Sequence, residues 1–166
     1  MASAIGIDIG GTRLRAARIT GGVIEARAVA NSSRDPSVVM TRVLELVAQV
    51  RNDSVVALGI GVPGQVQAAT RRVLSGGYVD LSSFDFVADV ETATGLPVTI
   101  ENDATMALLG EAAYGAARGQ SNVVMLTIGT GIGGAVLEQG KVLRGRGSAG
   151  QLGHICIDPQ GRACVC

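Results

Sequence analysis

Glycine clusters that follow short apolar runs restrict the fold of this chain more than any other feature. The 166 residues include 24 glycines, and clusters at residues 10–11 and 129–134 come directly after the apolar runs 4–9 and 123–128. A further run of strand-forming residues follows each cluster. Because glycine accepts the positive φ of tight turns, each place is predicted to form a strand, a glycine turn and a second strand. The recurrence indicates two copies of one supersecondary plan.

The remaining segments predict a mixed α/β chain. Short apolar runs indicate strands at residues 4–9, 14–19, 23–30, 55–62, 97–101, 123–128, 135–138 and 141–143. Apolar residues at helical spacing indicate helices from Asp35 and Pro36 to about Arg51, and at residues 84–94 and 104–117. Residues 65–83 show no clear pattern. The segment after residue 121 is too short for a second copy as long as the first, so we expect a truncated protein.

The charge balance and the cysteines exclude several classes of partner. Lys and Arg number 14, Asp and Glu also number 14, and like charges form no long run, so we expect no nucleic-acid and no membrane partner. No apolar stretch approaches the roughly 18 residues of a membrane span, and no basic leader precedes the first strand. Cys156, Cys164 and Cys166 cluster near the C-terminus instead of forming a disulfide framework. A cytoplasmic location is therefore expected.

Two common nucleotide-binding motifs do not fit the second glycine cluster. Residues 129–134 contain G-x-G-x-x-G, but residues 135–140 predict a strand and a hairpin where a dinucleotide-binding site needs a helix. A P-loop is excluded because Lys141 is followed by Val142 and not by serine or threonine. Two glycine turns that face each other can still hold phosphates through their backbone N–H groups. Tight hairpins without a ligand are the alternative.

Five short motifs follow one another along the chain. They are Asp-Ile-Gly-Gly-Thr at 8–12, Gly-Ile-Gly-Val-Pro-Gly at 59–64, Glu-Asn-Asp-Ala at 101–104, Leu-Thr-Ile-Gly-Thr-Gly-Ile-Gly-Gly at 126–134, and Gly-His at 153–154 with Cys-x-Cys at 164–166. Their order and spacing resemble the ROK family of sugar kinases and repressors. The resemblance covers essentially the whole chain, but only about the first half of a typical member. It implies the actin-like ATPase fold of two RNase H-like domains, with sugar and ATP in the cleft between them.

The resemblance also implies a division into domains. Residues 1–120 are expected to form a complete N-terminal lobe of βββαβα type that carries the sugar-site residues. Residues 121–166 are expected to begin a truncated second lobe with a glycine turn and a zinc-binding segment. Repressor members carry a helix-turn-helix domain ahead of the first motif, and Asp8 lies too near the start of this chain for one, so the kinase branch is favoured. A homodimer is expected.

Catalytic and sugar-binding roles follow from the same resemblance. Asp103 matches the general base that accepts the proton of the sugar hydroxyl, and a helix N-cap is its structural alternative. Asn102, Gly64, Gln151 and His154 are expected at the sugar, although Asn102 can instead serve a structural turn. Gln151 stands where the family usually has Glu. A glutamine keeps the size but removes the charge, so lower sugar affinity or a changed specificity is expected.

ATP and Mg²⁺ are the expected ligands of the two glycine turns. The first turn is expected near the transferred phosphate and the second near the rest of the nucleotide, and Asp8 is expected to help position Mg²⁺ through water. The residues of this predicted site are Asp8, Gly10, Gly11, Thr12, Gly129, Thr130 and Gly131.

A structural Zn²⁺ is expected near the C-terminus. His154, Cys164 and Cys166 supply three soft ligands in a short segment, and the family places a further cysteine a few residues later. With three ligands the site would bind more weakly than a closed site of four. Cys156 matches no ligand position of the family and is expected to be buried as an apolar residue.

Together these features predict ATP-dependent phosphorylation of a hexose or hexose derivative by a glucokinase-like enzyme, with Asp103 as base. The alternative is a non-catalytic ROK fragment that binds sugar or forms a dimer. A different actin-like ATPase is disfavoured by residues 154–166. The sequence does not identify the sugar.

Overall fold

The computed structural model describes residues 1–163 and contains three β-sheets and three α-helices in that range. The strands are β1 (Ser3–Ile9), β2 (Arg13–Thr20), β3 (Val23–Asn31), β4 (Val55–Val62), β5 (Gln65–Gln67), β6 (Arg72–Ser75), β7 (Val98–Asn102), β8 (Val123–Ile128), β9 (Ile132–Glu138) and β10 (Lys141–Val142). The helices are α1 (Pro36–Val50), α2 (Phe86–Thr94) and α3 (Asp103–Tyr114). This order confirms the predicted α/β class.

The largest sheet has five strands in the order β3-β2-β1-β4-β7. β1 pairs antiparallel with β2 and parallel with β4, and β4 pairs parallel with β7. The first three strands, all predicted, therefore form a meander on one side of the sheet, and crossover connections through α1 and α2 build the other side. Because β1, β4 and β7 are parallel, their carboxyl ends lie along one edge, which is where open α/β sheets bind ligands.

Apolar side chains from the sheet and from α1 and α2 form the main core. Period-two alternation in β1 turns its isoleucines inward, and apolar residues at helical spacing do the same for α1. The largest side chains that are fully buried in this core are Ile5, Ile9, Leu14, Leu46, Leu58, Ile60, Leu81 and Ile100. This core makes the parallel strands a rigid base for the residues at their carboxyl ends.

Side-chain caps and glycines set the helix ends. The side chain of Asp35 accepts a hydrogen bond from the Ser37 N–H at 2.9 Å, as predicted for the start of α1. Helix α2 begins later than predicted because the Asp85 side chain caps it through the Ala88 N–H at 3.3 Å. Helix α3 ends earlier than predicted, at Tyr114, where a glycine follows. None of the helices in residues 1–163 combines the length and the apolar character needed to cross a membrane.

The second sheet has the order β10-β9-β8, and the second glycine turn joins β8 to β9 as predicted. Strand β9 begins at Ile132, earlier than the predicted residue 135 and inside the glycine cluster, so a strand lies where a dinucleotide-binding site needs a helix, and the rejection of that motif is confirmed. Ala104 and Leu108 of α3 pack against Ala135 and Leu137 of β9 in a small separate core. Helix α3 therefore links the end of β7 to the second sheet.

Two further features complete the fold. Residues 65–83, which had no clear pattern, contain a hairpin of β5 and β6. The face of β8 that points away from α3 is apolar and exposed, with Val124, Leu126 and Ile128 at 67%, 58% and 86% exposure.

Candidate active site

The carboxyl ends of β1, β4 and β7 bring several predicted site residues together. Asp8 lies opposite Gly61 in the β1–β4 register, and Val62 lies opposite Asn102 in the β4–β7 register. Asp103 follows directly as the first residue of α3. Sheet register thus places residues from the first and third motifs at one edge.

Asn102, and not Asp103, is the N-cap of α3. The Asn102 Oδ1 accepts a hydrogen bond from the Thr105 N–H at 3.1 Å, and its Nδ2 donates to the Gly64 carbonyl oxygen at 2.9 Å. The structural alternative for Asp103 is therefore wrong, because asparagine is an equally good cap and lies one residue earlier. The cap also holds the Asn102 amide in a fixed orientation.

The carboxylate of Asp103 is partly buried and only partly satisfied. Its Oδ1 accepts hydrogen bonds from the Ala104 N–H at 2.8 Å and from the Asn102 Nδ2 at 2.9 Å. Within residues 1–163 no hydrogen bond reaches Oδ2. Burial raises the pKa of Asp103, the bond from Ala104 opposes the shift, and the negative charge of Asp8 raises the pKa further. A carboxylate with a raised pKa and an unengaged oxygen can accept a proton.

The carbonyl oxygen of Gly64 links two of the predicted sugar residues. Besides the bond from Asn102, it accepts a hydrogen bond from the Gln151 Nε2 at 3.4 Å. Gly64 has a φ of +93°, and a Cβ at this position would lie 2.1 Å from the Ser75 carbonyl oxygen, so only glycine fits. The structure thus brings Asn102, Asp103, Gly64 and Gln151 together. His154 lies in a short 3₁₀ helix after Gln151 and is exposed.

The two glycine turns lie close together and face each other. The Thr12 Oγ1 lies 3.4 Å from the Thr130 Oγ1, although 118 residues separate them. A Cβ added to Gly11 would lie 3.6 Å from the Thr130 Cβ, whereas one added to Gly129 or Gly131 would meet open space. This geometry agrees with two turns that share one ligand, and their role in binding stays a prediction.

Asp8 lies near both the first glycine turn and Asp103: a Cβ at Gly10 would lie 4.0 Å from the Asp8 Oδ2, and the Asp8 charge acts on Asp103. Its Oδ2 accepts a hydrogen bond from the Arg15 Nη1 at 2.9 Å in a half-exposed ion pair. Oxygen ligands are those that Mg²⁺ prefers, and it usually keeps several waters. The pair of carboxylates Asp8 and Asp103 at one sheet edge fits a hydrated cation, because a cation would offset their mutual repulsion.

The predicted zinc ligands are only partly within the described residues. His154 is exposed, whereas Cys164 and Cys166 lie outside the described range. Within residues 1–163 no group of three or more His, Cys, Asp or Glu side chains is arranged to hold a metal. Cys156 is exposed, so its predicted burial is wrong, because residues 152–163 contribute no side chain to either core.

Sequence reasoning missed Glu101 and Arg144. Glu101 is 4% exposed and its Oε2 accepts a hydrogen bond from the Arg144 Nε at 2.7 Å. Both side chains line a small depression together with Asn102, Thr105 and Gln151. An acid next to the apolar Ile100 inside a predicted strand was the available signal, because a buried acid needs a partner.

Comparison with known proteins identifies the family. The ROK family model matches residues 4–166. A glucokinase from Streptomyces coelicolor is 34% identical over 170 residues, which cover 100% of this chain and 53% of the relative. A β-glucoside kinase from Listeria monocytogenes is 34% identical over 158 residues, covering 93% and 53%. The chain thus spans about half the length of the relatives it matches.

A solved structure agrees with the fold. The ROK family glucokinase from Streptomyces griseus, crystallised with glucose and AMPPNP, superposes with a TM-score of 0.90 at 34% identity. The superposition covers 96% of this chain and 52% of that one. The predicted actin-like ATPase fold is confirmed by this match. On the family match and the shared fold, the chain belongs to the ROK family.

Proposed function

We propose that this protein carries out ATP-dependent phosphorylation of a hexose or hexose derivative, with Asp103 as the general base. The observation that carries the proposal is the Asp103 carboxylate. It has a raised pKa and an oxygen without a hydrogen bond in the described residues, and it lies beside Asn102 and Gly64. The sugar-kinase relatives supply the reaction class.

Asp103 would act on the sugar hydroxyl. As the hydroxyl oxygen attacks the γ-phosphorus of ATP, its proton passes to the Asp103 carboxylate, and ADP leaves. The raised pKa makes the carboxylate a stronger proton acceptor than an exposed aspartate. Burial also removes water that would compete with the sugar hydroxyl.

The glycine turns would hold ATP. The first turn (Gly10, Gly11 and Thr12) faces the second turn (Gly129, Thr130 and Gly131), and the two threonine hydroxyls mark where the turns meet. The Gly10 and Gly129 N–H groups donate to the Arg13 and Gly131 carbonyl oxygens, so the other backbone N–H groups of the turns would contact the phosphates. Asp8 would hold a hydrated Mg²⁺, which neutralises phosphate charge when bound. The support for this assignment is that Asp8 lies near both the first turn and Asp103.

The sugar would lie over Gly64, Asn102 and Gln151. Both Asn102 Nδ2 hydrogens are engaged, one by Gly64 and one by Asp103, and its Oδ1 already accepts the Thr105 N–H. Asn102 would therefore offer the sugar the second lone pair of Oδ1 as an acceptor. Gln151 can donate and accept, unlike the Glu expected at this position. His154, exposed and close in sequence to Gln151, would contact the far side of the sugar.

The lobe boundary, the zinc site, the dimer and the cellular location are further proposals. We propose a lobe boundary near residue 120, supported by the division of the strands on either side of it into separate sheets; α3 lies before this boundary and packs on the second sheet across it. A structural Zn²⁺ would be held by His154, Cys164 and Cys166, and the support is the exposed imidazole and the chemistry of the donor set. A homodimer and a cytoplasmic location are proposed on the family resemblance and on the clustering of the cysteines.

A sugar-binding or dimerising module without phosphoryl transfer is the alternative. It is favoured by the exposed apolar face of β8.

An assay of ATP consumption with Mg²⁺ and a panel of sugars distinguishes the two. The panel contains glucose, fructose and N-acetylated hexoses, and calorimetry with the same sugars runs beside it. Sugar-dependent ADP formation supports the kinase. Sugar binding without ADP formation supports the module, and the absence of both contradicts the proposed sugar site.

A further inference from the structure

Glu101 is an acid buried at the base of the proposed sugar site. Its residue exposure is 4%, and it lies in β7 between the buried Ile100 and the cap Asn102. A carboxylate in such a place is costly unless both of its oxygens have partners. Oε1 accepts a hydrogen bond from the Asn102 N–H at 3.2 Å, and Oε2 accepts one from the Arg144 Nε at 2.7 Å.

Arg144 belongs to the segment that follows the second sheet. Its carbonyl oxygen accepts hydrogen bonds from the N–H groups of Gly147 at 2.8 Å and Ala149 at 3.3 Å, which closes a turn leading to Gln151. Gly147 has a φ of +92°, and a Cβ there would lie 2.7 Å from the Val66 carbonyl oxygen. The turn is therefore packed closely against β5 and is fixed by Arg144 at both its backbone and its side chain.

The ion pair joins the two halves of the proposed sugar site. Of the four ion pairs within residues 1–163, only Arg144–Glu101 connects the five-stranded sheet to the segment after the second sheet. Asn102 lies on one side of this connection and Gln151 on the other. Their side-chain amides meet again at the Gly64 carbonyl oxygen.

We propose that Arg144 is a positioning residue which, through Glu101, fixes Gln151 relative to Asn102 and so sets the affinity for sugar. The ligand in this inference rests on the proposed function, whereas the contacts of Arg144, Glu101 and Gln151 do not depend on it. Arginine suits the role because its planar guanidinium gives a directed bond to a carboxylate, whereas lysine keeps the charge with a different reach. The Glu101 side chain is 6% exposed and that of Arg144 is 43% exposed, so removing Arg144 leaves the buried Glu101 carboxylate without its cation.

The test compares Arg144→Ala and Arg144→Lys with Arg146→Ala in the full chain. Arg146 is exposed and forms no ion pair within the described residues, so it is a matched control two positions away. The readouts are the NMR resonances of the Asn102 and Gln151 side-chain amides and the Kd for glucose by calorimetry. Arg144→Ala should shift both amides and raise the Kd roughly tenfold or more, as expected for the loss of a charged hydrogen bond.

Two comparisons separate positioning from general stability. Arg144→Lys should recover part of the lost affinity, and Arg146→Ala should leave the Kd within about twofold of the unmodified protein, as a surface change should. Glu101→Gln combined with Arg144→Ala should weaken sugar binding little beyond Arg144→Ala alone, because both changes break one contact. Additive losses would contradict the proposed connection.

The outcome separates this inference from the proposed function. If the unmodified protein binds no sugar of the panel, the sugar site is refuted, and the amide resonances still decide the role of Arg144. If the Asn102 and Gln151 amide resonances are the same in Arg144→Ala as in Arg146→Ala, the positioning role is overturned. This conclusion does not depend on the sugar-binding results.

Discussion

Replacing Asp103 with asparagine should separate the chemistry of the site from its fold. Asparagine retains an oxygen that can accept the hydrogen bonds now made to Oδ1 by the Ala104 N–H at 2.8 Å and the Asn102 Nδ2 at 2.9 Å. The cap of α3 belongs to Asn102 and is untouched. The fold should therefore survive, and only the proton acceptor is lost.

The expected loss of activity is large. Removal of a general base typically costs about 100-fold to 10,000-fold in kcat, equivalent to about 2.7–5.5 kcal/mol of barrier. The rate of the unmodified protein should fall as the pH drops through the pKa of Asp103, which burial raises above its ordinary value. Asp103→Asn should abolish this part of the pH profile.

Asp103→Asn should not lower the stability of the fold, although it lowers the activity. Because the folded-state pKa of Asp103 is raised, the stability that this group contributes is present below its unfolded pKa and is lost as the pH rises through the folded value. The ionised carboxylate thus destabilises the fold at neutral pH. Asp103→Asn should leave the Tm at pH 7 equal or slightly higher, and this difference should disappear in acid.

The assay couples ADP formation to sugar phosphorylation, and thermal unfolding runs on the same samples. Asp53→Asn makes the same chemical change at an exposed turn and is the control. Turnover by Asp103→Asn within about tenfold of the unmodified rate would refute Asp103 as base. A lower Tm that accompanies lost activity would instead show that Asp103 is needed for the fold.

Three further changes test the neighbouring residues. Asn102→Ala should lower the free energy of unfolding by about 1 kcal/mol through loss of the helix cap, and urea denaturation unchanged from wild type would contradict that role. Gln151→Glu should tighten sugar binding in calorimetry, and an unaltered Kd for every bound sugar would place residue 151 outside the site. Zinc measured by elemental analysis should stay below about one equivalent per chain and fall in His154→Ala, since three ligands leave one position open. Full occupancy, or no change in the variant, would contradict this.

The sequence predicted the elements where local patterns are strong. The bounds of β4 and β8 and the start of α1 are as predicted, because apolar runs, helical spacing and a capping aspartate act over only a few residues. Residues 65–83 were not assigned because β5 and β6 are too short to show a period. Helix α3 starts at Asp103 and not at the predicted residue 104, because adjacent Asn102 and Asp103 are equally good caps by residue type.

The candidate site was only partly visible in the sequence. Motif resemblance named Asp103, Asn102 and Gln151, but it gave no reason to connect Glu101 with Arg144, which lie 43 residues apart. A buried carboxylate needs a partner, but the sequence contains several arginines that could form the ion pair. Packing of the turn at Gly147 against β5 selects Arg144.

By itself, the sequence determined the strand and helix types, the two glycine turns and the family, because each depends on residues that are neighbours along the chain. Only the tertiary structure decided that Thr12 faces Thr130, that Gly64 joins Asn102 to Gln151, and that Asp103 has a raised pKa. These properties depend on strand register and burial, which arise when segments far apart in sequence pack together.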